Sequence, residues 1–472
     1  MLRALLAAAA VAALLVAPNA SPAPAFFEDN VTLAMDDGAK IAMTVYRPEG
    51  EPPAGGWPAI VFLHGLGGNR QQMNALVESA GFAGRDYVVL TFDARGHGDS
   101  TGLASIDGPR EIADVRAVER WLANLGEVAD DEIGAWGISY GGGAALDSLV
   151  ARVPWAAVAT VETWTDLYAA LAPQNLVKSG LVAGLRSSIP DDHKSPELKQ
   201  IQAFAFAGGH RKALVQWAAA RSSLSRLGSV RTPVFIAQGR RDFLFGIGQG
   251  IAALAELKGP KALYLGLHGH PPSTFPAADT GVLLEKTHAW FDCYLRHRGC
   301  GAAPARFGIA PEHFRGKIVE RSGLPATVNT RFGFPGSKVI ERTGKAVRTT
   351  ARISIPMETF GAPSVRLAVT PRKGWSRLVA VLSAVTPSGE VVVGAGGVPL
   401  SGTKTRTITV RLSDQVTFVP KGSRLRLTLG SSSLAQSPSN LLYLDLPMPD
   451  GANIKLGPAK LTLPRLRTPV TK

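Results

Sequence analysis

The run Gly137-Ile138-Ser139-Tyr140-Gly141 constrains the fold more than any other part of the chain. Residues 131–136 before it end in apolar residues typical of a buried strand, and residues 143–146 are typical of a small-residue helix that packs closely on a sheet. Glycines two positions to either side of the serine leave room for a sharp turn. The run therefore predicts a strand, a tight turn and a helix, with the hydroxyl of Ser139 presented at the turn.

This five-residue pattern is a weak signal when it stands alone. The chain has 51 glycines in 472 residues, so a Gly-x-Ser-x-Gly run arises by chance in roughly one such chain in three. The surrounding elements must therefore decide whether Ser139 has a chemical role.

Apolar strand-like runs alternate with helical patterns from residue 26 to residue 305. This alternation predicts an α/β domain with a mostly parallel sheet covered on both faces. The predicted strands are Val31–Met35, Ile41–Arg47, Ala59–Leu63, Tyr87–Phe92, Ile133–Ile138, Ala157–Val161, Val234–Gln238 and Ala262–Leu267. Two predicted helices, Glu111–Leu125 and Val282–Leu295, carry apolar residues at helical spacing.

One connection in this domain is far longer than a crossover needs. Between about residues 162 and 230 the chain shows helical patterns with several aromatic residues, whereas about a dozen residues suffice for a crossover. We interpret the insertion as a helical cap over the site, with Trp164 and Tyr168 as candidate substrate-pocket residues. The alternative, more common for any single aromatic residue, is that it only packs the core of the cap.

The pattern changes after about residue 305 to short alternating strands separated by glycine and proline turns. The clearest of these strands are Val365–Val369, Leu378–Val385, Ile408–Leu412 and Arg424–Leu429. No long helix pattern interrupts them. Residues 306–472 are therefore predicted to form a separate antiparallel β-sandwich.

The first 25 residues have the composition of a cleaved signal peptide. A basic start, Met1–Arg3, precedes an apolar run from Ala4 to Ala17, and small residues and prolines lead to Ala25. An apolar run of 14 residues is too short to span a bilayer as a helix, so we expect no stable membrane insertion. We predict a secreted, periplasmic or extracellular protein that is cleaved near Ala25.

Cysteine usage and charge limit the partners of the chain. Cys293 and Cys300 are seven residues apart and can form a disulfide in an exported protein or stay as free thiols; they lack the partners of a zinc site. The net charge of +14 is scattered, and no nucleic-acid-binding motif, Walker loop or Rossmann fingerprint is visible. We expect no nucleic-acid partner, no metal and no cofactor. The sequence leaves the oligomeric state open.

A serine hydroxyl becomes an effective nucleophile when an imidazole takes its proton and a carboxylate orients that imidazole. After a strand-serine-helix turn, the acid and then the histidine are expected later in the chain, each following a strand. Asp242 follows the strand Val234–Gln238, and His270 follows the next strand, 28 residues after Asp242. We predict Ser139 as nucleophile, Asp242 as acid and His270 as base, with His268 as the alternative base.

The oxyanion of a tetrahedral intermediate needs two hydrogen-bond donors. The backbone N–H of Tyr140, next to Ser139, is the first candidate. The loop His64–Gly68 directly follows a central buried strand, and the backbone N–H of Leu66 in this loop is the second candidate.

The loop Asp93–Ser100 contains a histidine, His97, that precedes Ser139 in the chain. This position does not agree with the expected order, so we predict a structural role for the loop. In this interpretation Asp93 and Arg95 pair with each other and fix its shape.

The chain resembles the Xaa-Pro dipeptidyl-peptidase and cocaine-esterase family of α/β-hydrolases in four motifs: DARGHGDS at 93–100, GISYG at 137–141, QGRRD at 238–242 and LHGH at 267–270. Its tail resembles that family's C-terminal jelly-roll domain in GAPSVRL at 361–367, LSAVTPSG at 382–389 and FVPKGSRLRL at 418–427. The resemblance covers nearly the whole chain after residue 25. It implies an α/β-hydrolase domain with a cap, and Ser139, Asp242 and His270 as the catalytic triad.

The sequence departs from this family in the first loop of the site. Family members commonly use a tyrosine hydroxyl after the first central strand as an oxyanion donor. Here the matching stretch is His64-Gly65-Leu66, which resembles the corresponding loop of lipases and esterases.

The expected substrates are carboxylic esters or related acyl compounds. The alternative is a short peptide from which a dipeptidyl-peptidase releases an Xaa-Pro dipeptide. A dipeptidyl-peptidase must neutralise the ammonium group of its substrate, and the carboxylates available near the cap are those of Glu162, Asp166, Asp191 and Asp192. An esterase needs only an apolar acyl pocket. A third hypothesis, a non-catalytic exported binding protein, predicts the loss of a catalytic group, yet all three are present.

Overall fold

The computed structural model describes residues 26–471. The predicted signal peptide, residues 1–25, with its cleavage point near Ala25, lies outside this range. No helix within residues 26–471 is long and apolar enough to cross a membrane.

Residues 26–321 contribute ten strands to one sheet. These are β1 (Phe26–Ala34), β2 (Lys40–Pro48), β3 (Trp57–Leu63), β4 (Val88–Phe92), β5 (Val128–Ile138), β6 (Ala157–Val161), β7 (Val234–Gly239), β8 (Lys261–Gly266), β9 (Phe307–Ile309) and β10 (Val319–Arg321). Their order is β1-β2-β4-β3-β5-β6-β7-β8-β9-β10. The neighbours from β4 to β9 are parallel, whereas β1, β2 and β10 join antiparallel.

This sheet contains all eight strands that the sequence predicts for the α/β part of the chain, with ends that differ by a few residues. β9 and β10 also belong to it, so the sheet takes residues on the far side of the predicted boundary at residue 305. Each has only three residues, too few to show a periodic pattern in the sequence.

Helices cover both faces of the sheet. The helices of this part are α1 (Arg70–Ser79), α2 (Pro109–Ala123), α3 (Tyr140–Val150), α4 (Leu167–Leu171), α5 (Ser179–Ser187), α6 (Pro196–Ala207), α7 (Arg211–Ala219), α8 (Ile247–Glu256) and α9 (Thr280–Tyr294). α2, α3 and α8 pack on the face that receives Val61 and Leu63 of β3, whereas α1 and α9 pack on the face that receives Ile60 and Phe62. Every residue of β3 and β4 is consequently buried.

The long insertion between β6 and β7 is helical. It carries α4, α5, α6 and α7, and a separate apolar cluster joins α4, α5 and α7 to Tyr140 at the start of α3. The insertion therefore lies over the turn that contains Ser139. The α/β fold with a helical cap is confirmed.

The rest of the described chain forms antiparallel sheets. Its strands are β11 (Thr327–Phe334), β12 (Lys338–Glu341), β13 (Ala346–Thr349), β14 (Met357–Glu358), β15 (Ser364–Arg372), β16 (Arg377–Thr386), β17 (Gly389–Pro399), β18 (Arg406–Arg411), β19 (Phe418–Val419), β20 (Arg424–Gly430) and β21 (Asn453–Leu466). The two main sheets are β11-β21-β15-β18, with β12 beside β21, and β13-β20-β16-β17. They share one apolar core, which confirms the predicted β-sandwich.

A disulfide joins Cys293, near the end of α9, to Cys300, with the two Cα atoms 4.5 Å apart. Of the two states that the sequence leaves open for these cysteines, the structure has the bonded one. The bond ties the last turn of α9 to the segment that leads to β9.

A buried ion pair links the α/β part to the sandwich. The guanidinium of Arg240, directly after β7, donates to the carboxylate of Glu358 on β14 at 2.5 Å and to the carbonyl of Ala310. The Glu358 carboxylate also accepts from the amides of Val470 and Thr471, at 2.6 and 3.0 Å. Both charged side chains are buried, and the guanidinium also pairs with the partly exposed carboxylate of Glu312 at 3.3 Å.

We predict that Glu358→Ala lowers the free energy of unfolding by about 3–5 kcal/mol, because it removes the buried carboxylate that pairs with Arg240 and accepts from two backbone amides, and leaves the guanidinium only the longer contact with Glu312. The control is Glu390→Ala, which removes a partly exposed ion pair with Arg426 and should cost no more than about 1 kcal/mol. Urea unfolding followed by fluorescence measures both effects. Equal losses in the two variants would contradict the prediction.

Candidate active site

Ser139 lies at the turn between β5 and α3 in a strained backbone conformation. Its φ is 54° and its ψ is −114°, and the hydroxyl of Thr163 donates to its carbonyl at 2.8 Å. A Cβ atom on Gly137 would lie 2.2 Å from the carbonyl oxygen of Gly141, and a Cβ on Gly141 would lie 2.2 Å from that of Leu63. Only glycine fits at either position, which is the physical reason for the Gly-x-Ser-x-Gly run.

Ser139, His270 and Asp242 form a continuous hydrogen-bonded chain. Ser139 Oγ lies 2.9 Å from His270 Nε2, and His270 Nδ1 lies 2.7 Å from Asp242 Oδ2. Asp242 Oδ1 accepts from the backbone amides of Leu244 and Phe245, at 2.8 Å each. The structure thus brings together the three residues that the sequence predicts, each just beyond the carboxyl end of a parallel strand.

Burial and hydrogen bonding act in opposite directions on the pKa values of Asp242 and His270. Burial disfavours the carboxylate of Asp242, but His270 and the backbone amides outweigh it and hold the pKa of Asp242 below its ordinary value. Burial also disfavours the His270 imidazolium, but the charge and hydrogen bond of Asp242 raise the pKa of His270 above its ordinary value. The surroundings therefore stabilise an imidazolium, as a group that takes the proton of Ser139 requires.

The other two histidines considered in the sequence lie elsewhere. His268 is fully buried with its ring near that of Tyr264, the centroids being 6.0 Å apart. The ring of His97 packs against those of His64 and Tyr140, with centroid distances of 5.0 and 5.5 Å. Within the described part of the chain, neither His268 nor His97 forms a hydrogen bond with the serine of the turn.

The predicted pairing of Asp93 with Arg95 is wrong. The carboxylate of Asp93 accepts from Arg70 on α1, and the guanidinium of Arg95 pairs with Asp114 on α2 at 2.5 Å and with Asp37 at 2.9 Å. Ion pairs do fix the loop, but the partners come from two helices and from the turn between β1 and β2, which only the tertiary fold brings to it.

The two candidate oxyanion donors border the same cavity as Ser139. The residues Leu66 and Tyr140 both line it, and neither backbone amide donates to another residue within the range 26–471. The loop of Leu66 is held by His64, whose Nε2 accepts from the amide of Ala94 at 3.0 Å. Burial lowers the pKa of His64 to about 3, so the ring is neutral and can accept this bond.

A cavity opens beside Ser139 beneath the cap, with an empty volume of about 890 Å³ including its mouth. Both predicted pocket residues, Trp164 and Tyr168, line it. Most of the remaining lining residues were not predicted from the sequence. They come from the cap helices and include Leu171, Val182, Leu185, Ile201, Leu214 and Trp217. Among residues 26–471, Arg186 is the one charged residue that lines the cavity, and no Asp or Glu lines it.

Two further buried ionisable residues, Glu162 and Lys178, lie near the hydrogen-bonded residues of the site. The sequence did not predict that they are neighbours of His270. One carboxylate oxygen of Glu162, one of Asp242 and one ring nitrogen of His270 all lie within 4.8 Å of one another. Lys178 donates to two backbone carbonyls of the loop after Asp242, at 2.8 and 3.0 Å. The position of Glu162 directly after β6 could have predicted that it lies near His270, because parallel strands end at one edge of the sheet.

The three-residue cluster of Glu162, Asp242 and His270 also has the spacing of a ligand set for a metal ion. Two of its members are engaged in other contacts, because Asp242 bonds to His270 and His270 bonds to Ser139. These hydrogen bonds engage both ring nitrogens of His270 and one carboxylate oxygen of Asp242.

The sandwich holds the loop that carries Asp242. Gln415 Nε2 donates to the backbone carbonyl of Asp242 at 2.8 Å, and the amide of Val416 donates to the carbonyl of Arg240 at 2.8 Å. Asp414 accepts from the amide of Gly248 at the start of α8. The carboxylate in the hydrogen-bonded chain is thus positioned in part by a separate layer of the fold.

Comparison with known protein families places the site in a matched region. Residues 37–271 match the X-Pro dipeptidyl-peptidase (S15 family), a range that ends one residue after His270. The quorum-quenching protein AidA of Acinetobacter baumannii (strain MDR-ZJ06) is 31% identical over 154 residues, which make up 31% of this chain and 47% of AidA. The chain spans about half the length of the curated relatives it matches.

Solved structures share the whole architecture. A CocE/NonD family hydrolase from Staphylococcus aureus superposes with a TM-score of 0.72 at 16% identity, covering 93% of this chain and 94% of that one. An alpha-amino acid ester hydrolase superposes with a TM-score of 0.67 at 14% identity, covering 98% of this chain and 99% of that one. At these identities the likeness shows a common fold of α/β part, cap and sandwich.

We predict that Gln415→Ala lowers kcat for a chromogenic ester about tenfold with little change in KM, because a displaced acid loop misorients the base without altering the cavity. The matched control is Gln436→Ala, in the same sandwich, where the side chain is partly exposed and donates to Glu390. Steady-state kinetics of the purified variants measures the effect. A loss confined to KM, or an equal loss in the control, would contradict it.

Proposed function

We propose that this chain, which belongs to the X-Pro dipeptidyl-peptidase (S15) family of serine hydrolases, cleaves carboxylic esters with apolar acyl groups through a Ser139-His270-Asp242 triad. The observation that carries the proposal is the cavity beside Ser139, whose lining is apolar apart from Arg186 and a few uncharged polar groups. An apolar cavity next to a nucleophile accommodates an apolar acyl chain and disfavours a charged one.

The reaction begins with attack of Ser139 Oγ on the ester carbonyl. His270 Nε2, 2.9 Å away, takes the hydroxyl proton as the new C–O bond forms, and Asp242 stabilises the resulting imidazolium. The backbone N–H groups of Leu66 and Tyr140 donate to the oxyanion. The imidazolium then gives its proton to the departing alcohol, which leaves an acyl-enzyme on Ser139.

Water then hydrolyses the acyl-enzyme, with His270 acting first as base and then as acid. His270 takes a proton from the water as its oxygen attacks the acyl carbon, and then returns a proton to Ser139 Oγ as the carboxylic acid leaves. Because His270 must be neutral to act and its pKa is raised above 6.5, activity is lost as the pH falls through this pKa.

The position of the carboxylates near the cap favours esters over Xaa-Pro peptides. The side chain of Asp166 caps α4, Asp191 pairs with Lys194, and Asp192 is exposed. Glu162 is buried beside the triad and does not line the cavity. Without a carboxylate facing the cavity, a bound ammonium group would lose its hydration with no charge partner in return.

We also propose export of the protein. Residues 1–25 have the composition of a signal peptide, and the disulfide between Cys293 and Cys300 is a bond that persists in oxidising compartments. Expression of the full chain in a bacterial host with a Sec pathway should therefore yield mature protein outside the cytoplasm. N-terminal sequencing should find cleavage near Ala25; uncleaved protein kept in the cytoplasm would contradict the proposal.

A pair of substrates of equal size tests the acyl preference. We predict that kcat/KM for the 4-nitrophenyl ester of butyrate exceeds that for the ester of 3-aminopropanoate at least about tenfold, because the ammonium group replaces a methyl group in an apolar cavity. Stopped assays of nitrophenol release at pH 7 measure both rates.

The control is Ser139→Ala, which should abolish both activities and prevent labelling by a fluorophosphonate probe. Labelling of this variant equal to that of the unmodified protein would contradict the role of Ser139. A preference for the ammonium-bearing ester, or turnover of Ala-Pro-nitroanilide that exceeds turnover of the butyrate ester, would favour the dipeptidyl-peptidase alternative.

A further inference from the structure

Glu162 is a buried carboxyl group that the proposed mechanism does not use. It directly follows β6, with φ at 54° and its amide donating to the carbonyl of Ala237 on β7 at 2.8 Å. Its side chain is 4% exposed, and within residues 26–471 its Oε1 has no hydrogen-bond partner. A carboxyl group with no partner in such a place destabilises the fold, so a purely structural role does not explain it.

The position of Glu162 relative to His270 provides a reason for its presence. One of its carboxylate oxygens lies within 4.8 Å of a ring nitrogen of His270 and of a carboxylate oxygen of Asp242. The backbone places it there, because β6 lies between β5, which leads to Ser139, and β7, which leads to Asp242. The imidazole is therefore faced by two carboxyl groups, one hydrogen-bonded to it and one not.

We propose that Glu162 is a positioning residue for His270, whose carboxylate, once ionised, faces the imidazolium that forms when His270 takes a proton from Ser139 or from water. This inference rests on the proposed function. Below the pKa of Glu162 its carboxyl group is neutral and adds little. Above that pKa its negative charge stabilises the imidazolium of the transition state, so that turnover is faster on the alkaline side.

The charged groups around the pair set where this change occurs. Burial raises the pKa of Glu162 to about 8; the charge of His270 opposes the rise, and those of Asp242 and Asp279 add to it. Lys178 faces His270 from the cap and disfavours its imidazolium. Asp279, at the start of α9, accepts hydrogen bonds from other residues and makes none with Glu162 among the described contacts.

The expected pH profile of kcat/KM for the butyrate ester has two rises. The first reports loss of the proton from His270, and the second, near pH 8, reports ionisation of Glu162, to which the loss of the Lys178 charge adds because burial lowers the pKa of Lys178 to about 8. The second rise should be about tenfold, because an opposite charge at about 4–6 Å stabilises a charged group by at least a factor of about ten.

Glu162→Gln tests this assignment with little change of shape. Glutamine resembles the neutral carboxyl group, so the variant should keep the first rise and the activity at pH 6, and should lose most of the second rise, keeping only the part that Lys178 contributes. Glu162→Asp keeps an ionisable carboxyl group and should retain two rises. The matched control is Asp192→Asn, the same chemical change at an exposed carboxylate of the cap, which should reproduce the two-step profile of the unmodified protein.

A Glu162→Gln profile that keeps both rises at full height, or is lowered by one factor at every pH, would overturn the inference. A single rise in the unmodified protein would overturn it too, and this measurement decides the matter even if the glutamine variant does not fold. If the unmodified protein reacts with a fluorophosphonate but hydrolyses no ester, the proposed function fails first, and the inference fails with it.

Discussion

The strained turn at Ser139 is the constraint on which the rest of the site depends. A serine with φ at 54° is held in a conformation that costs about 1–3 kcal/mol, and it persists because β5, α3 and the loop after β3 meet around it with no space for a Cβ on either glycine. That close approach presents the hydroxyl at the carboxyl edge of the sheet. It also brings the amides of Leu66 and Tyr140 to the same cavity.

Charge in the site is stabilised by backbone groups and by the second layer of the fold. Asp242 keeps its carboxylate in a buried position because backbone amides and His270 surround it. Its loop is in turn held by Gln415 and Val416 of the sandwich. The sandwich is therefore part of the structure that orients the proposed base, and the Arg240–Glu358 pair connects the two layers beside that loop.

The cap and the carboxyl groups around His270 have different parts in the proposed mechanism. The cap supplies an apolar cavity without a carboxylate, which favours uncharged acyl groups. The two carboxyl groups, those of Asp242 and Glu162, lie close to the imidazole of His270, and neither residue lines the cavity. In the proposed mechanism, substrate choice and proton transfer therefore belong to different elements of one domain, the inserted helices and the strand ends.

Strand ends and glycine turns are local properties of the chain, so the residues alone predict the α/β pattern, the strand-turn-helix at Ser139 and the order in which Asp242 and His270 follow their strands. Which charges meet depends instead on the packing of the whole fold. Arg70 and not Arg95 pairs with Asp93, and Glu162, which the sequence offered as an ammonium partner, lies beside His270. Such contacts join residues far apart in the chain, and their geometry is set by how helices, strands and sandwich pack, which no local pattern encodes.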